Sequence, residues 1–128
     1  MVIETAALLA ILLDEPERGN FLQLLSESET RLLSAANAME TAIIVESRRG
    51  EVAGRELDLF LHRTKIEIVA VDEEQFSIAR FAWRKFGKGR HAAGLNFGDC
   101  FAYALTKTSS EPLLARSEGF RRTDLQVL

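Results

Sequence analysis

The chain has 128 residues, 47 % hydrophobic and 27 % charged, with a net charge of −3 at pH 7. That balance excludes a disordered chain, describes a globular domain burying roughly two thirds of its unfolded surface, and leaves nucleic-acid contact to a local basic patch. One cysteine, Cys100, excludes an internal disulfide or a cysteine zinc site, so a reducing cytoplasm is the expected compartment.

Val2 and Ile3 begin a short apolar strand, and the run Ala6 to Leu13 follows as a buried helix. That run is far shorter than the roughly 20 residues needed to span a bilayer and no basic segment precedes it, so neither export nor a membrane is expected. Asp14, Glu15 and Pro16 interrupt the pattern before a second helix around Phe21, Leu22, Leu24 and Leu25. Arg31 to Ser34 reads as a second strand. Asn37 resembles a helix N-cap with Glu40 three residues on, and the helix continues to Arg49 before Gly50.

Leu57, Phe60, Leu61 and Thr64 share one helical face. Ile66 to Val71, rich in β-branched residues, is the clearest strand pattern in the chain. Phe76, Ala79, Trp83 and Phe86 form a helical stripe ending at Gly87, and Gly87 to Asn96 reads as a loop. A last long helix runs from Phe97 to about Thr108; Leu113 and Leu114 suggest a fourth strand and Leu125 to Leu128 a fifth. Short strands alternating with amphipathic helices predict a single α/β domain over residues 1–128, with a mostly parallel sheet of four to five short strands covered on both faces. Ligand sites in such sheets lie at the carboxyl ends of the strands.

Three carboxylates stand at element boundaries beside apolar residues: Glu4 after the first strand, Glu40 near the start of the third helix, and Asp99 where the last helix begins. Two have structural readings, Glu40 as half of a capping box with Asn37 and Asp99 as an acid favoured by a helix dipole. Glu4 is harder to explain away, because a buried carboxylate costs several kcal/mol unless something pairs with it. If the three converge, their repulsion calls for a divalent cation, and an all-oxygen set points to Mg²⁺ or Mn²⁺, which activates water and neutralises charge on a phosphodiester. Arg84, Lys88 and Arg90 lie in the basic, glycine-rich segment Arg84 to His91 and are candidates for holding an RNA backbone; a solvated helix end is the plainer reading of the same residues.

The runs MVIETAALLAILLDEPE, SAANAMETAIIVESRRG and KGRHAAGLNFGDCFAYALTKTSSEPLLARSEGF together make the chain resemble PIN-domain ribonucleases, in particular VapC-type toxins of toxin–antitoxin pairs. The resemblance implies a PIN-like three-layer sandwich and an acidic pocket that binds Mg²⁺ or Mn²⁺ and cleaves RNA. It also implies a cognate antitoxin that covers the pocket, and a homodimer. Glu40 and Asp99 match two of the family's acids. Glu4 stands where aspartate is usual, and Gly119 where an acid usually precedes the phenylalanine matched by Phe120, with Glu118 one residue earlier as a weaker outer ligand. An alternative reading follows from these departures: a catalytically weakened PIN-like protein that mainly binds an antitoxin or RNA. A receiver domain needs an acidic pair near the start and a late lysine, neither of which the chain places convincingly.

Overall fold

The computed structural model describes residues 1–128. Four strands form one all-parallel sheet in the order β3-β2-β1-β4: β1 (Val2–Ile3), β2 (Leu32–Ser34), β3 (Glu67–Val69) and β4 (Leu113–Leu114). Six helices connect them: α1 (Thr5–Leu12), α2 (Arg18–Glu27), α3 (Ala35–Arg49), α4 (Glu51–Arg63), α5 (Glu73–Phe86) and α6 (Phe97–Ser109). This is the α/β class that the alternation of apolar runs predicts.

Strands this short are held by what covers them. Successive side chains point to opposite faces of a sheet, and β1 and β4 use that alternation fully. Ile3, Leu33 and Leu114 pack with Leu8, Ile11, Phe21, Val45 and Leu57 beneath α1 to α4. Val2 and Leu113 pack on the other side with Ala82, Phe86, Tyr103, Leu105 and Phe120 beneath α5 and α6. The chain therefore changes faces between the adjacent strands β1 and β4, which opens a crevice at their carboxyl ends.

Three local expectations are corrected. Helix α3 starts two residues before Asn37: Ser34 is its N-cap, with its side-chain oxygen accepting from the Ala36 N–H at 3.3 Å, and Asn37 lies inside the helix and buried. The reason is that β2 runs directly into α3, so the hydroxyl at the junction is the one in place to cap. The Ile66 to Val71 pattern shortens to Glu67–Val69 and becomes an edge strand with Ile68 half exposed, because it pairs only with the three residues of β2. At the C-terminus the expected fifth strand is a single bridge between Leu113 and Val127, preceded by a 3-10 turn over Glu118–Arg122.

Candidate active site

Glu4 follows β1 and precedes α1, at the crevice between β1 and β4. It occupies the N-cap position of α1, yet its side chain does not cap that helix. Instead Oε1 accepts two backbone N–H bonds from the segment after β4, from Arg116 at 2.6 Å and Ser117 at 3.1 Å. The residue is only 2 % exposed. Burial pushes its carboxyl up to about 7, the two amides pull it partly back, and the charge of Asp99 raises it further.

Glu40 reaches the same end of the sheet from α3. Its Oε1 accepts from the hydroxyl of Thr5 on α1, and Asn37, one helical turn earlier on the same face, donates to that hydroxyl at 3.1 Å and to the Gly98 carbonyl of α6 at 3.0 Å. Asn37 thus joins the first turns of three helices. Gly98 permits the approach, since a β-carbon there would lie 2.5 Å from both carboxylate oxygens of Glu40.

Asp99 is fixed by a reciprocal capping box at the start of α6: its Oδ2 accepts from the Asn96 N–H at 3.0 Å, and the Asn96 side chain accepts from the Asp99 N–H at 2.9 Å. Burial raises its carboxyl above the usual range, the Asn96 amide opposes that, and the charge of Glu40 adds to it. Asp99 therefore couples electrostatically to both other acids. None of the three forms an ion pair with a cation of the chain. In Glu40 and Asp99 one carboxylate oxygen takes the protein bond and the other is left without one, while Glu4 takes both amides on Oε1 and has the Ser117 hydroxyl beside its carboxylate. The donor set suits a hard divalent cation in kind, all oxygen and uncompensated in charge. It does not close into a ready coordination shell: no three acidic, histidine or cysteine side chains stand gathered tightly enough to hold a metal ion as placed.

The remaining candidates lie elsewhere. Glu118 sits in the 3-10 turn, its side chain 84 % exposed and paired with Arg121 Nε at 3.7 Å, so the structure does not bring it to the other three. Gly119 is backed against the Ala93 carbonyl oxygen, and a β-carbon there would collide with it. Arg84, Lys88 and Arg90 are all exposed, and the Arg90 guanidinium lies over the Trp83 ring, 4.2 Å from its centroid. Cys100 is a buried core residue whose thiol is pushed up to about 11 by burial and, secondarily, by the charge of Asp99, which disfavours the thiolate.

Sequence reasoning passes over Thr5 and Gly98 and gives Asn37 only a capping role, whereas all three position Glu40 rather than supply charge. Asn37 carries a signal of its own, because asparagine is a poor residue for a helix interior and here it stands on the buried face. Gly98 carries a weaker one, as a glycine in a first helical turn with no cap role.

A family model described as PIN domain matches residues 1–125. Ribonuclease VapC of Mycolicibacterium smegmatis is 54 % identical over 128 residues, covering 100 % of this chain and 99 % of that protein. Ribonuclease VapC30 of Mycobacterium tuberculosis is 51 % identical over 128 residues, covering 100 % and 98 %. Among solved structures, Mycobacterium tuberculosis VapC20, described as a sarcin-ricin loop cleaving toxin, superposes with a TM-score of 0.76 at 16 % identity, over 97 % of this chain and 95 % of that one. VapBC2 of Rickettsia felis, bound to a DNA fragment from its promoter, gives a TM-score of 0.79 at 17 % identity, over 99 % and 96 %. Identities that low speak for the fold, and the full-length likeness to the two ribonucleases speaks for kinship. The chain belongs to the PIN-domain family, among its VapC proteins.

Proposed function

We propose that this protein is a divalent-metal-dependent endoribonuclease and the toxin of a toxin–antitoxin pair. The observation that carries the reading is that Glu4, Glu40 and Asp99 lie toward the same end of the sheet, with Asp99 in electrostatic reach of each of the other two and no cation of the chain ion-paired to any of them. The names of the two full-length relatives support the ribonuclease class. The pairing with an antitoxin draws support from a structure described as a toxin–antitoxin complex from Klebsiella pneumoniae, with a TM-score of 0.75.

Glu4, Glu40 and Asp99 would hold Mg²⁺ or Mn²⁺ through the oxygens that their protein bonds leave free. A bound divalent cation supplies charge neutralisation and a water of lowered pKa at neutral pH. The amides of Arg116 and Ser117 aim Glu4, Thr5 and Asn37 hold Glu40, and the capping box fixes Asp99. Arg84, Lys88 and Arg90 would bind the phosphates of the RNA. An antitoxin covering the acids, a homodimer and a cytoplasmic location complete the reading; no helix is long and apolar enough to cross a membrane.

One observation favours the weaker-enzyme reading: with Glu118 exposed and glycine at position 119, no fourth acid joins Glu4, Glu40 and Asp99. A single assay separates the two. Purified protein is incubated with labelled structured RNA in Mg²⁺, in Mn²⁺ and in EDTA, beside an Asp99→Asn control. Cation-dependent cleavage that the control lacks supports the nuclease; cleavage that persists in the control, or never appears with either cation, defeats it.

A further inference from the structure

An aromatic surface adjoins the acids. Phe97 opens α6 two residues before Asp99 and is 81 % exposed, more than any other large hydrophobic residue of the chain. Its ring meets only that of Phe101, edge to face, with centroids 4.9 Å apart. Phe97 and Phe101 together separate two recesses. One, between α5 and α6, has a volume of about 490 Å³ and is lined by Phe76 and Trp83, with Arg80 and Lys88 as its only charged residues. The other, between α3 and α6, measures about 420 Å³ and includes Glu40 and Gly98. A path therefore runs from Glu40, over an exposed ring, into an aromatic cleft whose charges are all positive.

That charge pattern selects the occupant. The chain as a whole is acidic, yet the α5–α6 cleft holds cations and no carboxylate, and Arg90 adds a further guanidinium on the Trp83 ring. Flat aromatic faces interleaved with cations match alternating bases and phosphates, because every base offers a π-face whatever its sequence. We propose that Phe97 is a stacking post for one base of single-stranded RNA beside the cleaved phosphate, that the cleft takes the neighbouring base, and that Arg80 and Lys88 hold the phosphate between them. This rests on the ribonuclease reading and adds to it the part of the surface that selects unpaired RNA. Phe97 acts as a positioning residue, at a distance from the reacting atoms.

The test reads binding apart from cleavage. A 5′-fluorescein octaribonucleotide is titrated with the full chain by anisotropy, in EDTA and again with Ca²⁺ in place of Mg²⁺. Phe97→Ala should weaken binding about 5- to 100-fold, the range that loss of one stacked base produces. Phe97→Trp should restore it to within about twofold, whereas Phe97→Leu, which keeps bulk but no ring, should not. Replacing one nucleotide at a time with an abasic residue should reveal one position where the lost base weakens the wild type yet adds nothing to Phe97→Ala. All three variants should melt as the wild type does, since the side chain is exposed. Equal binding by Phe97→Ala, or no abasic position that couples to it, overturns the proposal. So does a Phe97→Ala variant that keeps its RNA affinity but loses self-association in sedimentation, which would make this face a contact between copies. A wild type that binds RNA with this Phe97 dependence but never cuts it defeats the nuclease reading alone; one that cuts RNA without the dependence defeats the stacking alone; one that does not bind RNA defeats both.

Discussion

Glu4→Gln tests the electrostatics of the site through stability rather than turnover. Burial raises the Glu4 carboxyl from 4.5 to about 7, and that gap, at about 1.4 kcal/mol per pH unit, corresponds to about 3 kcal/mol. The folded chain keeps this proton to a higher pH than the unfolded chain does. The contribution is therefore complete below about pH 4.5, shrinks as pH rises, and is gone once pH has passed well beyond about 7; about 2 kcal/mol of it falls between pH 5.5 and 8.5. Glutamine keeps an oxygen for the Arg116 and Ser117 amides and has no proton to lose. Urea unfolding followed by circular dichroism in EDTA should show the variant gaining about 2 kcal/mol on the wild type between those two pH values. Groups that do not face Glu4 titrate alike in both proteins and cancel in the difference. Added Mn²⁺ at pH 8.5 should then stabilise the wild type and leave the variant almost unmoved. A stability difference that stays constant with pH, or shrinks, would show that Glu4 is not held against its charge.

Three further substitutions probe how the acids are placed. Gly98→Ala meets only the mobile end of Glu40, so melting should barely change, while metal-dependent cleavage should fall on the order of a hundredfold as Glu40 is displaced. Asn37→Ala leaves the Gly98 carbonyl and the Thr5 hydroxyl without their donor, and should cost about 1–3 kcal/mol in urea unfolding together with lower Mn²⁺ affinity by calorimetry. Gly119→Asp, which would restore the family's usual acid, forces a β-carbon into the Ala93 carbonyl, a backbone atom that cannot swing aside. It should lower stability by about 1–3 kcal/mol in the same unfolding assay without raising cleavage. A more active and equally stable Gly119→Asp protein would refute that reading of the contact.

Much of the scaffold is legible from periodicity. Val2-Ile3 and Leu113-Leu114 read as strands because strands of a parallel sheet covered by helices are apolar on both faces, and the stripes of α4, α5 and α6 follow their one-sided burial. The start of α3 misleads, because Asn37 and Glu40 have the spacing of a capping box while serving contacts to α1 and α6. Of the site, Glu4, Glu40 and Asp99 stand out as acids in apolar surroundings. The approach of Gly98 to Glu40, the seat of Gly119 on Ala93 and the exposure of Phe97 depend on residues far apart in the chain. No local pattern encodes them. Phe97 reads as one more apolar position of the α6 stripe until the packing shows that nothing covers it.

The three acids are distributed over all the layers of the fold. Glu40 rides with α3 above one face of the sheet, Asp99 with α6 above the other, and Glu4 on the sheet between them. The site consequently works as a gauge of how well the two helical layers of the sandwich are seated on the sheet. A substitution deep in either core that lets one slide by a fraction of an ångström should blunt the protein's chemistry before it shows in a melting curve.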